Sequence, residues 1–207
     1  SIAKEKGLEP LADAIFAQTF NSASPAELAA DYIDAEKGVE TVEDAINGAM
    51  DIIAENISDD ADIRRRLRSL FTVAGVLRSR AADSEKESVY TMYYEYDEPV
   101  NKIAGHRVLA VNRGENEGFL KVGIDVDRIK ALNIINANVL SDNGSACTDT
   151  VRDAAADAYD RLIFPSVERE IRNMITDSAV ESALKVFYVN LRELLLQPPV
   201  KGKRALG

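Results

Sequence analysis

Covalent chemistry in this chain would have to come from very few side chains. The sequence holds a single histidine, His106, and a single cysteine, Cys147. Nucleophilic catalysis needs a nucleophile, a base within hydrogen-bond reach and a group that orients the base. Cys147 sits in a turn-like stretch, Asn143-Gly144-Ser145-Ala146-Cys147-Thr148, and no neighbour in sequence supplies it with a base. The simpler reading makes Cys147 a small buried filler and His106 a helix-start residue that hydrogen-bonds a neighbour. A structural zinc site is excluded, because the chain cannot supply enough Cys and His ligands.

Three acids, Glu95, Asp97 and Glu98, are the remaining candidates for a hard-cation site or a metal-dependent nuclease. They lack the spacing of a calcium loop, and on a helix positions two apart face different ways. A solvated or arginine-paired face is the expectation, with no metal and no cofactor. Phosphate cradles place glycines before a helix. Here Arg113-Gly114-Glu115-Asn116-Glu117-Gly118 carries two glutamates and is followed by a strand-like run, so it is not a nucleotide fingerprint. Its glycines are expected to stop a helix and make a tight turn. The cations that could touch nucleic acid are Arg64, Arg65, Arg66 and Arg68, with Arg107 and Arg113. On a helix the first four spread around the circumference. Against 35 acidic residues, local ion pairing is the expected fate of these arginines.

The elements that must position these residues are mostly helical. Hydrophobic residues make up 46% and charged residues 29% of the 207 residues, enough for a real core. The net charge of −10 repels phosphate and anionic membrane surfaces alike. A lone cysteine allows no disulfide within the chain, as suits the cytoplasm. No apolar run approaches the roughly 20 residues of a membrane span.

Leu8, Leu11, Ala12, Ile15 and Phe16 have helical spacing. Ser24 caps a short helix from Pro25, and Thr41 with Asp44 forms a capping box ahead of Val42, Ala45, Ile46, Ala49, Ile52 and Ile53. Asp60 caps the next helix, with Ile63, Leu67, Leu70 and Phe71 facing inward. Gly75 to Arg80 reads as a strand and Phe119 to Ile124 as its partner, a two-stranded ribbon packed on helices. Between them, Tyr90, Tyr93, Tyr94 and Asp97 follow helical spacing up to Pro99, and Ala104 to Asn112 forms a helix closed by Gly114. Beyond lie helices over Asp127 to Leu140, Thr150 to Phe164 and Ser166 to Met174, the last two divided or kinked at Pro165. A further helix is expected behind a capping box at Ser178 and Glu181, stopped by Pro198-Pro199. The fold class is therefore mainly α, multihelical with a small two-stranded β ribbon. Its parts are a helical subdomain (1–74), helices with the ribbon (75–124) and a long-helix region (125–200).

Several phrases in fixed order carry a resemblance. They are Glu5-Lys6-Gly7-Leu8-Glu9-Pro10-Leu11, Tyr32-Ile33-Asp34-Ala35-Glu36-Lys37-Gly38 and Asp97-Glu98-Pro99. His106-Arg107-Val108-Leu109-Ala110 follows, running into Arg113-Gly114-Glu115-Asn116-Glu117-Gly118. Pro165-Ser166-Val167-Glu168-Arg169-Glu170-Ile171-Arg172 and Asn190-Leu191-Arg192-Glu193-Leu194-Leu195-Leu196 complete them. Together they resemble the Tex family of bacterial transcription accessory proteins, over essentially the whole chain.

The resemblance implies a cytoplasmic, multidomain protein that acts in transcription. Its expected parts are a helical region with a helix-turn-helix-like portion, a YqgF-type domain with an RNase H-like fold, helix-hairpin-helix elements and a C-terminal OB-fold that binds RNA. On that reading 201–207 opens the YqgF-type domain, and the chain is a segment of a longer protein. Its expected role is a non-catalytic helical scaffold. RNA or DNA is bound through other domains, and RNA polymerase is a further expected partner. The resemblance supplies no catalytic residue. Asp97, Glu98, Pro99, His106, Gly114, Asn116, Glu117 and Gly118 match the family signature with an architectural role. The alternatives are a direct RNA- or DNA-binding module built on the named arginines, and a metal-dependent nuclease.

Overall fold

The computed structural model describes residues 2–197. The expected stop at Pro198-Pro199 and the expected domain start at 201–207 lie outside them. The described chain divides into two compact units whose segments interleave along the sequence. One holds residues up to Leu77, Pro99–Asn101 and Ile124–Ile171; the other holds Arg78–Glu98, Lys102–Gly123 and the chain from Arg172.

The first unit is helical. It contains α1 (Ile2–Glu5), α2 (Glu9–Phe16), α3 (Pro25–Ala29), α4 (Val42–Asp59) and α5 (Ala61–Ala74). It also contains α7 (Arg128–Val139), α8 (Thr148–Asp157) and the first turns of α9 (Phe164–Leu196). Helix α4 is its axis and packs against α1, α2, α3, α5 and α8. Its buried Ala45, Ala49, Ile52, Ile53 and Ile57 recur every three or four residues, which places them on one stripe. The capping residues read from sequence do cap. Ser24 accepts from the Glu27 amide and Thr41 from the Asp44 amide, and Asp60 accepts from both Asp62 and Ile63. Each satisfies backbone donors that a helix start leaves open.

The second unit holds most of a three-stranded sheet and helix α6 (Gly105–Asn116). The strands are β1 (Val76–Ala81), β2 (Glu95–Pro99) and β3 (Leu120–Asp125), in the order β2-β1-β3. Both pairings are antiparallel. The ribbon foreseen from sequence thus gains a third strand where a helix was expected. The physical reason lies in Glu95-Tyr96-Asp97-Glu98-Pro99, whose burial alternates residue by residue, the period of a strand. Pro99 ends an edge strand, a position where a missing amide is tolerated. Only Thr91–Tyr93 of the tyrosine-rich stretch is helical, as one 3-10 turn.

Two further expectations change. Gly114 does not close α6 but lies buried inside it. A Cβ there would come within 2.5 Å of Leu120 Cδ1, so the glycine allows the helix to approach β3 closely. The closing glycine is Gly118, at φ +78°, where a left-handed residue ends the helix cheaply. Nor does a new helix begin at Ser178. Helix α9 runs without interruption from Phe164 to Leu196, 33 residues or about 50 Å. Pro165 leaves its mark just upstream, where Ala158–Ile163 widen into a π-helical turn. Proline cannot donate to the carbonyl four residues back, and a widened turn accommodates that loss.

Candidate functional site

In helix α9 the phrase Ser166 to Arg172 carries a run of partnered polar residues. Residues four apart share a helix face, so this segment presents three rows. Val167 and Ile171 form the buried row. Ser166 and Glu170 form the second, facing α5. Arg64 donates to Ser166 Oγ at 2.7 Å and to Glu170 Oε1 at 2.8 Å, and Arg68 donates to Glu170 Oε2 at 2.7 Å. The Arg68 and Arg64 guanidinium groups hold the Glu170 carboxyl below the usual carboxylate range.

Glu168 and Arg172 form the third row, facing β3. In the first unit, Glu168 accepts the Ile124 amide at 3.0 Å. In the second, Arg172 donates to the Val122 carbonyl at 3.0 Å. Side chains of α9 therefore occupy the outer edge of β3, an edge that would otherwise offer open backbone groups. Arg172 also pairs with Glu115 through both guanidinium nitrogens, at 3.0 and 2.5 Å, and donates to Asn112 Oδ1 at 2.9 Å. Asn112 in turn donates to Thr176 Oγ1 at 2.8 Å. With its side chain 20% exposed, Arg172 is the best-enclosed arginine among the ion pairs described.

Of the other candidate cations, Arg65, Arg66 and Arg107 are similarly engaged. Arg65 and Arg66 both reach Asp62 one turn back on α5. Arg107 donates to both oxygens of Glu98, at 3.1 and 3.0 Å, and to Tyr96 Oη. Hydrogen bonding from Tyr96, and then from Arg107, lowers the Glu98 pKa. Arg113 is exposed in the last turn of α6. Asp97 faces Arg80 in a two-pronged pair, at 2.7 and 3.0 Å, and this bonding lowers the Asp97 pKa. Arg128 holds Asp160 in the same manner and depresses its pKa as well.

The three acids considered for metal or nuclease chemistry do not converge. Asp97 and Glu98 are neighbours on a strand and so point to opposite faces, each toward its own arginine. Among the described residues no group of three or more His, Cys, Asp or Glu could hold a metal ion. Cys147 is buried, with its sulfur 3.7 Å from Ser22 Oγ and 3.7 Å from the Ala23 carbonyl. His106 is exposed in the first turn of α6. Of the other signature residues, Asn116 ends α6, and Glu117 lies where, after burial, it helps push the Tyr90 hydroxyl pKa up.

Sequence reasoning missed Gln18, Glu170 and Arg172 as organising residues. Gln18 is 1% exposed at a left-handed φ of 45°. Its amide donates to the Val139 carbonyl at 2.8 Å and accepts the Ser141 amide at 3.0 Å, closing the α7–α8 loop onto α2. No local pattern marks such a residue. The alternation of polar residues from Ser166 to Arg172 was the signal for the other two.

A family model described as Tex central region-like matches residues 21–187. The whole chain is 45% identical to the uncharacterized protein YdcI of Bacillus subtilis, covering 29% of that protein. It is 29% identical to protein tex of Bordetella pertussis over all of this chain and 28% of that one. It is 31% identical to the transcriptional accessory protein Tex of Neisseria gonorrhoeae, again over all of this chain and 28% of that protein. The chain thus spans less than a third of the length of these relatives. Among the described residues no helix is long and apolar enough to cross a membrane.

Proposed function

This chain belongs to the Tex family, of which it carries the central region, and from that premise we propose that it is a non-catalytic helical scaffold in a cytoplasmic transcription accessory protein. It holds nucleic-acid-binding domains that lie elsewhere in the longer protein and offers a surface to the transcription machinery, RNA polymerase included. The observation that carries this reading is the use of the arginines. Arg64 and Arg68 share Glu170, Arg65 and Arg66 share Asp62, and Arg107 pairs with Glu98, each within its own unit. A guanidinium held by a carboxylate must give up that contact before it meets a phosphate, and counterion release supplies most non-specific nucleic-acid affinity. The net charge of −10 adds repulsion.

Titrating the chain against single-stranded RNA and duplex DNA tests the proposal. At about 0.15 M salt, binding weaker than about 10 μM is expected for both. Submicromolar binding by this chain alone would favour the direct nucleic-acid module, with exposed Arg113 the first residue to substitute. Cleavage of either nucleic acid on addition of a divalent ion would revive the nuclease reading.

A further inference from the structure

We infer that a pocket on the helical unit takes the guanidinium of an arginine side chain from a partner polypeptide, held by Tyr159, Phe164, Asp125 and Asp160. The pocket, about 230 Å³, is lined by Asp125, Val126, Arg128, Tyr159, Asp160 and Phe164. All six belong to the first unit. Asp125 ends β3 and Arg128 opens α7. The π-helical turn Ala158–Ile163 supplies Tyr159 and Asp160, and Phe164 begins α9. That turn brings the two rings together. The Phe164 amide donates to the Tyr159 carbonyl, five residues back. On an ordinary α-helix residues five apart lie about 140° from each other around the axis. Bonding from i to i+5 sets one above the other instead. The rings accordingly meet edge to face, with centroids 5.8 Å apart at 67°.

Two observations point to an occupant and to its charge. Tyr159 is 2% exposed, yet its hydroxyl has no hydrogen-bond partner among the described residues. Buried polar groups are nearly always bonded, because an unmet one costs free energy. A phenol here is a cost to the fold that phenylalanine would avoid. The lining also carries two carboxylates, Asp125 and Asp160, against one guanidinium. Arg128 is committed to both oxygens of Asp160, at 2.9 and 2.6 Å, and this half-exposed pair marks the rim. Burial, and then the Asp160 carboxylate, push the Tyr159 pKa up to about 12, so the hydroxyl is neutral at pH 7. Asp125 and Asp127 act on it in the same direction, against Arg128 alone. An anion is repelled from such a site, RNA phosphate included. A planar guanidinium fits it: its face meets an aromatic ring, and its N–H edge donates to the phenol oxygen and a carboxylate. This extends the scaffold reading and rests on it only in taking the occupant to be a polypeptide. The two fail separately, because nucleic-acid affinity does not report on this pocket.

Titration of the chain followed by amide resonances provides the test, with three probes. They are the peptide acetyl-Gly-Arg-Gly-amide, the same peptide with citrulline for arginine, and spermidine. The arginine peptide should shift the amides of 125–128 and 158–164 and saturate in the millimolar range. Citrulline has nearly the same shape without the charge, and its peptide should bind about tenfold more weakly or worse. Tyr159→Phe should weaken the arginine peptide by about tenfold. Its thermal midpoint should hold or rise, because the unmet hydroxyl is gone. If Tyr159→Phe does not fold, the citrulline comparison in the parent chain decides. Equal affinity for the arginine and citrulline peptides would overturn the inference, as would no shift at these amides. So would unchanged arginine-peptide affinity in Tyr159→Phe together with a lower midpoint, which would make the hydroxyl part of the fold, bonded through a buried water. A spermidine response as strong as the arginine peptide's would also overturn it, making a free polyamine the occupant.

Discussion

The two halves of α9 differ in composition and are opposite in circumstance. Up to Ala179 the helix buries Val167 and Ile171 to 1% exposure or less and spends its polar residues on α5, α6 and β3. From Val180 onward it carries more large apolar residues and buries none of them. Hydrophobicity by itself therefore says nothing about where the folded unit ends. What distinguishes the halves is the polar pattern. Ser166, Glu168, Glu170 and Arg172 each answer a named group, while Glu181 and Lys185 answer only each other. A helix half with internal partners fixes the fold, and a half without them is available to something else.

The contrast can be broken by substitution. Ile171→Ala removes a buried side chain from the first half and should lower the unfolding free energy by about 3 kcal/mol in chemical denaturation. Arg172→Met leaves Glu115, Asn112 and the Val122 carbonyl short of a donor and should lower it by about 2 kcal/mol, softened by partial exposure. Glu170→Gln should lower it by about 1 kcal/mol or less, since its carboxylate is partly in solvent. Phe187→Ala, in the second half, should change stability by no more than about 0.5 kcal/mol. A large loss at Phe187 would mean that this half of the helix already has a partner within the chain.

A pH series sharpens the same comparison. The carboxyl groups of Glu170, Asp97 and Asp160 have pKa values lowered by their arginines. A depressed folded-state pKa gives stability that is complete above the unfolded value, about 4, and is lost as the pH falls through the folded one. Unfolding midpoints should hold steady from pH 7 to about pH 5 and decline below about pH 4. The decline should be shallower in Glu170→Gln. No such difference is expected for Phe187→Ala.

Much of this was legible in the residues. Helix caps are local, so Ser24, Thr41 and Asp60 could be read from three or four neighbours. The stripe on α4 followed from its period, and the arginines' fate followed from the excess of acid. The third strand was hidden because tyrosines at 90, 93 and 94 mimic a helical period over one turn, and only pairing with β1 decides for a strand. The capping box at Ser178 and Glu181 was matched by type alone. Nothing between Pro165 and Pro198 breaks the helix, so propagation prevails over a second start. Gln18 and Arg172 act across long sequence separations, which no local pattern encodes. The family resemblance rested on ordered phrases, one of which, Ser166 to Arg172, proved to be the polar framework itself.

The claim that the arginines serve the fold is tested most directly by Arg64→Gln combined with Arg68→Gln, with thermal unfolding and RNA affinity measured on the same preparation. If these side chains are structural, the midpoint should fall by roughly 3–6 °C, because Glu170 loses both partners. RNA binding at about 0.05 M salt should stay within about twofold of the parent. An unchanged midpoint with a tenfold or greater loss of low-salt RNA affinity would contradict the account and make this face of α5 a nucleic-acid contact.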